Sequence, residues 1–136
     1  LRENLRLIGE YGLRSKRELR RVAFMLRQIR RSARSYQALV GEERTRKERE
    51  LISKLYRMGL VDKESTLDDV LTLSISNLLE RRLQTLLLKK GLTKTLHQAR
   101  QLIVHKKVLI GDRAISVPGY VVGRKEEAEI ALQRAS

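Results

Sequence analysis

The chain has 136 residues, 41% of them apolar, which suits one or two small domains with a modest core and argues against disorder throughout. It has no cysteine, which excludes disulfides and thiolate zinc sites, and no apolar run approaches the roughly 20 residues that cross a bilayer. Thirty Lys and Arg against sixteen Asp and Glu give +14, so the expected partner is a polyanion, with nucleic acid first and an anionic membrane well behind.

The charge is uneven along the chain. Residues 1–40 hold eleven basic and three acidic residues, residues 41–80 seven and nine, and residues 81–136 twelve and four. Two basic lobes therefore flank a near-neutral middle. The first residue is not Met but falls within a leucine/arginine pattern, as expected of the ordered part of a longer protein.

The first strong element starts at Ser15, which with Glu18 has the spacing of a capping box. Leu19, Val22, Ala23, Leu26, Ile29 and Ala33 then recur at helical spacing and predict a helix over Lys16–Tyr36 with an apolar arc of roughly 120°. Arg14, Lys16, Arg17, Arg20, Arg21, Arg27, Arg31 and Arg34 lie mostly on the other side, and Arg30 alone turns into the stripe. A merely solvated face would mix signs for i,i+4 pairing. Here nine bases between Arg14 and Arg34 meet one acid, Glu18, which favours phosphate binding.

Gly41–Gly59 mixes both signs, carries Leu51, Ile52, Leu55 and Met58, and reads as a supporting helix closed by a glycine. Thr66 caps a short turn whose first positions hold Asp68 and Asp69; these carboxylates favour the positive helix end and need no catalytic role. Ser74 opens a helix expected to run through Ile75, Leu79, Leu83 and Leu86 to Gly91, with Arg82, Thr85 and Lys89 as a polar stripe. Thr95 and Gln98 predict another capping box and a helix over Leu96–His105, burying Leu96, Ala99, Leu102 and Ile103. VLIGDRAISV reads as a hairpin turning at Gly111-Asp112, ended by Pro118-Gly119. Tyr120, Val121 and Val122 are expected to add a strand, and Lys125 to Ala135 a weak helix or frayed end.

Both histidines lie in HQARQLIVH. Eight residues along a helix span roughly 12 Å, whereas one metal holds its nitrogens at about 2 Å, so His97 and His105 cannot share an ion there. No nucleophile and carboxylate complete a catalytic set. No metal, cofactor or catalytic residue is expected. His97, Gln101 and His105 instead form an i, i+4, i+8 ridge beside Lys94 and Gln98, suited to phosphate and ribose contacts.

Residues LERRLQTLLLKKGLTKTLHQARQLIVHKKVLIGDRAISVPGYVV resemble the small RNA-binding module named after ribosomal protein S-four. Arg82, Leu83, Leu87 and Gly91 match its first helix, and Ala99, Arg100, Leu102 and Ile103 its second. The hairpin Val108-Leu109-Ile110-Gly111-Asp112 lacks the module's usual asparagine. Upstream, YGLRSKRELRRVAFMLRQIRRSAR and LDDVLTLSISNLLERRLQT resemble the helical domain of the S-four family of small-subunit ribosomal proteins, in its archaeal and eukaryotic form with an archaeal lean. The likeness runs from Tyr11 to Val122. The resemblance implies a short basic N-terminal segment that these residues do not include, and they carry none of the cysteine cluster of some bacterial members.

The expected architecture is α+β: a basic helical domain over 1–73, a module of two helices on a short antiparallel sheet over 74–124, and a tail over 125–136 that could return to the helical domain. The expected RNA contacts are Arg14, Lys16, Arg17, Arg20, Arg21, Arg27, Arg31 and Arg34 in the first lobe. In the module they are Arg82, Lys89, Lys90, Thr93, Lys94, His97, Gln98, Arg100, Gln101, His105, Lys106 and Lys107, with Arg100 at the edge of the apolar stripe, where an internal salt bridge or hydrogen bonds are the alternative. The resemblance implies a non-enzymatic constituent of the cytoplasmic small ribosomal subunit. It would bind the 5′ region of small-subunit rRNA at a multi-helix junction early in assembly, with other small-subunit proteins as neighbours. A place near mRNA as it enters the subunit, and support of decoding accuracy, are also implied. The alternatives are an RNA-modifying enzyme or a stand-alone RNA chaperone carrying the same module, and a basic amphipathic helix for membranes or helix-binding partners, for which the stripe is short of bulky aromatics.

Overall fold

The computed structural model describes residues 2–133. Its helices are α1 (Arg2–Glu10), α2 (Lys16–Gln37), α3 (Gly41–Arg57), α4 (Leu67–Leu71), α5 (Ile75–Leu79), α6 (Leu83–Lys89) and α7 (Leu96–Val104). Strands β1 (Val108–Ile110), β2 (Arg113–Ala114) and β3 (Ile130–Leu132) form one antiparallel sheet in the order β2-β1-β3. The expected α+β class and the module of two helices on a small sheet are both present.

Helix α2 organises the N-terminal half. Leu26 and Ala33 are buried with Ile52 and Leu55 of α3 and Leu67 and Val70 of α4, and Val22, Met25 and Ile29 pack around them. Burying one leucine this way stabilises by about 2 kcal/mol. Arg30, which the spacing turns toward this stripe, is half-buried and donates from Nη2 to the Leu73 carbonyl. Helix α1 closes through the Leu13 N–H on the Ile8 carbonyl, and Leu7, Tyr11 and Leu13 then pack with Leu19 and Leu79.

The second half has its own core. Leu83, Leu86 and Leu87 of α6 meet Ala99 and Ile103 of α7 over Val108 and Ile110 of β1, with Val122 and Ile130 closing the layer. Strand β1 alternates buried, half-buried and buried, as period-2 side chains on a one-sided sheet must. The hairpin turns where expected: Ile110 pairs with Arg113, and Gly111 takes φ +64°, a left-handed value that glycine adopts without a Cβ penalty.

Four local expectations need correction. The helix expected from Ser74 to Lys90 is broken at Glu80-Arg81-Arg82 into α5 and α6. The cause is tertiary: the Leu83 and Gln84 N–H groups donate to the carbonyls of Tyr120 (2.8 Å) and Pro118 (3.3 Å), and the Val122 N–H to Arg81 (2.8 Å). Tyr120–Val122 accordingly make only an isolated bridge, Arg82 to Val121, not a strand of the sheet.

The tail is not a weak helix either. A 3₁₀ turn over Glu126–Glu129 leads into β3, which pairs Val108 with Leu132 and Ile110 with Ile130. That register buries Ile130 and covers a backbone edge of β1 that a helix would leave open. The return to the helical domain is made just before, at Arg124: its N–H donates to Arg57 O (2.7 Å), Nε to Tyr56 O (2.9 Å) and Nη2 to Val61 O (2.9 Å). Its guanidinium also stacks 4.2 Å above the Tyr56 ring. Residues 134–136 of the expected tail lie outside the described residues.

The fourth correction concerns the start of α2. Ser15 is extended and makes no side-chain cap, and Glu18 accepts instead from the Arg14 N–H. In α7 the Thr95 cap is formed, its Oγ1 accepting from Gln98 N at 2.9 Å, while Gln98 Oε1 likewise reaches one residue further back, to the Lys94 N–H at 2.8 Å.

Candidate nucleic-acid interface

On α2, the chain alternates a buried column with an open cationic one. Arg14, Lys16, Arg17, Arg20, Arg21, Arg27, Arg31 and Arg34 are all exposed. Among the described residues, the ion pairs of the protein involve none of these eight side chains. Cations with no internal carboxylate partner keep their charge available to neutralise phosphates and release the counterions condensed on a polyanion.

The one acid in that helix is not part of this face. Glu18 is turned beneath it, where Oε1 and Oε2 each accept from Arg100 Nη2 at 3.0 Å and Oε1 also accepts from Arg82 Nη2 at 3.2 Å. Burial pushes the Glu18 carboxyl up, but the Arg14 N–H and the two guanidiniums outweigh it and hold the group below the ordinary glutamate range. Burial in turn lowers Arg82 against the pull of Glu18. An arginine nonetheless stays protonated in a protein, so the cluster is two cations closed around one anion.

This cluster removes two expected contacts from the surface. Arg82 is 2% exposed and serves the interior of the molecule. Arg100 is mostly buried, donating to Glu18 and, at 3.3 Å, to the Gly12 carbonyl, the internal role that its place at the edge of the apolar stripe foreshadowed. Thr93 is a third correction: closure of α6 turns it inward, with its N–H toward Leu87 O, and leaves it 4% exposed. Thr85, placed by spacing in the polar stripe, is buried too and donates to Leu79 O at 3.0 Å.

The other module residues reach solvent. Lys90, Lys94, His97, Gln98, Gln101, His105, Lys106 and Lys107 are exposed, and so is Lys89, whose Nζ lies 3.7 Å from Glu80. Lys89 and Lys90 close α6, Lys94 stands just before α7, and His97, Gln98 and Gln101 follow α7 to its C-terminal end at His105. There the Lys106 and Lys107 N–H groups close the helix on Ile103 and Leu102, and Lys106 takes φ +60°. A lysine in the left-handed region costs about 1 kcal/mol relative to glycine. The strained position is thus occupied by a cation at the junction of helix and hairpin.

The two lobes are physically joined. Gln84, 1% exposed, donates from Nε2 both to Gly12 O (3.3 Å) and to Leu96 O (2.9 Å), stapling the loop before α2 onto the first turn of α7. With Arg100 and Arg82 on Glu18, this sets the N-terminal turns of both basic helices side by side. Gln84 was assigned no role by spacing. Its signal was a polar side chain inside LQTLLL, where an apolar run on both sides forces it to find internal partners.

Two helices packed on a three-stranded sheet, with a cationic helix ridge running into a hairpin, define the class: residues 81–127 match the family model of the S4 domain. Similarity extends over the helical domain as well. The small ribosomal subunit protein uS4 of Ignicoccus hospitalis is 51% identical over 134 residues, covering 98% of this chain and 81% of that protein. Those of Sulfurisphaera tokodaii and Sulfolobus acidocaldarius are 55% and 54% identical over 122 residues, covering 89% of this chain and 69% of each relative. The chain belongs to the uS4 family of small ribosomal subunit proteins.

Proposed function

We propose that this protein is a structural constituent of the small ribosomal subunit that binds small-subunit rRNA and works in the ribosome of the cytoplasm. The observation that carries this reading is the pair of exposed, largely unpaired cationic faces, on α2 and along α7, held in fixed relation by the Glu18 cluster and Gln84. Two rigidly linked patches recognise the relative placement of two RNA segments, which matches a multi-helix junction, here proposed in the 5′ region of the rRNA, better than a single duplex. RNA helices are read by shape and backbone, because side chains cannot enter the deep A-form groove. Early junction binding would nucleate assembly. Contacts with neighbouring small-subunit proteins, a place near incoming mRNA and an influence on decoding accuracy belong to the same proposal. Relatives named as ribosomal proteins along nearly the whole chain leave the RNA-modifying alternative without support.

The test is footprinting on whole small-subunit rRNA together with salt-dependent affinities. One compact protected junction is expected, and the double variant K94E/K106E should bind more weakly, with the slope of log K against log salt reduced by about one per lost phosphate contact. Unchanged affinity and slope in that variant would show that the α7 ridge is not the binding surface.

A further inference from the structure

We propose that Phe24 is a stacking platform for one unpaired nucleobase of the bound RNA, an inference that rests on the rRNA-binding reading above. Phe24 is the only phenylalanine in the chain and is 55% exposed, although it sits in the middle of the longest helix. At 100° per residue it lies roughly 160° from the buried Leu26, on the side of α2 away from the core. Measured the same way, Arg17, Arg20, Arg21, Arg27 and Arg31 all fall within roughly 60° of it. The ring is therefore at the centre of the cationic stripe, with exposed arginines one turn before it and one turn after.

A single exposed aromatic on a mixed surface needs no ligand. On this face the neighbours decide its chemistry. Arg20 and Arg27 stand roughly 10 Å apart along the axis, a reach that lets them hold the phosphates on either side of one nucleotide while its base lies on the ring between them. The Arg27 guanidinium carbon lies over the ring, 5.9 Å from its centroid, so a cation already sits against the ring and a base would stack on the opposite face or displace it. Single-stranded loops and bulges at a junction are recognised through unstacked bases laid on aromatic faces, and every base offers such a face. A protein side chain docking here would have to approach through five like charges, whereas a nucleotide brings the counter-charge with it.

The chain contains no tryptophan, so F24W introduces a unique fluorophore at the site. Binding to whole small-subunit rRNA is measured for the unaltered chain, F24A, F24L and F24W across a range of salt. Stacking displaces no counterions, so F24A should bind about five- to a hundred-fold more weakly with an unchanged salt slope, and F24L should recover only part of the loss. F24W should retain affinity, and its indole emission should be quenched on saturation. R27A, in contrast, should lower the slope. Equal affinity of F24A, F24L and the unaltered chain would overturn the proposal, and so would an F24W emission that RNA leaves unmoved, which would assign the ring to a protein neighbour instead. Failure of the unaltered chain to bind the rRNA at all would overturn the rRNA-binding reading, and this inference with it.

Discussion

Removing the Glu18 carboxylate by E18A should destabilise the fold far more than a surface acid would. Among the described residues, the substitution deletes the only carboxylate partner of Arg82, which is 2% exposed, and of Arg100, and it orphans the Arg14 N–H. Leaving one member of a buried ion pair without its partner costs about 3–5 kcal/mol, and the lower end applies here because Glu18 retains some solvent contact. A loss of about 3 kcal/mol is a large share of the roughly 5–15 kcal/mol that holds such a domain together. For a chain of this size it corresponds to a fall in Tm of about 10 °C. Urea and thermal unfolding followed by circular dichroism would measure it. The double variant E18A/R82M should recover more than half of the loss, because it removes the stranded charge as well, whereas Arg100 can swing outward. A solvated glutamate on a cationic face would contribute under about 1 kcal/mol. A loss below about 0.5 kcal/mol, with no recovery in the double variant, would refute the assignment of Glu18 to the interior and return it to the RNA-facing surface.

Acid should act through the same group. Because the Glu18 carboxyl is held below its ordinary value in the fold, its contribution is present above about pH 4.5 and is lost as pH falls through the folded-state value. Glu126 has the same sign: burial raises it, but the Tyr120 hydroxyl at 2.6 Å, the Gly123 N–H at 2.9 Å and Arg113 prevail. Urea midpoints should therefore drop between pH 5 and 3, and less steeply in E18Q; parallel curves would exclude Glu18 as a source. Gly12 has φ +63°, and a Cβ built there would lie 2.9 Å from both Gln84 Nε2 and Leu96 Cβ. G12A should lose about 2 kcal/mol or more in chemical unfolding, combining backbone strain with the displaced Gln84 staple, and a loss near zero would exclude that contact. K106G should separate stability from function, raising stability by up to about 1 kcal/mol as the left-handed strain is relieved while weakening RNA binding. Stability and affinity falling together would instead make Lys106 a structural residue.

Which parts of this molecule were legible follows from the range of the interactions that decide them. Helix α2, α3, the Thr66, Ser74 and Thr95 starts and the Gly111-Asp112 turn are set by neighbours within about four residues, and periodicity and capping chemistry read them correctly. The break between α5 and α6 is set by carbonyls of Pro118 and Tyr120, more than thirty residues away, so the continuous stripe Ile75, Leu79, Leu83, Leu86 gave no sign of it. Strand β3 was missed for a related reason. EEAEIALQRA has helical propensity, and only the open edge of β1 makes an extended Ile130–Leu132 the better solution.

The charged residues divide along the same line. The exposure of the α2 cations and of the α7 ridge was legible because these residues lie opposite the apolar stripes, a property of composition and angle alone. Arg82, Arg100 and Thr93 could not be told from them by type or spacing. Their inward turn depends on Glu18, Gly12 and the closure of α6, which lie together only in the fold. Glu18, the single acid among the bases of α2, is the one local clue. Its spacing from Ser15 reads as a capping box, and that local explanation hides the two interior guanidiniums it holds in the fold. The two arginines it holds are among those that a count of positive charge assigns to RNA; in the fold they position the two helices, while the eight exposed cations of the first lobe keep no carboxylate partner among the described residues.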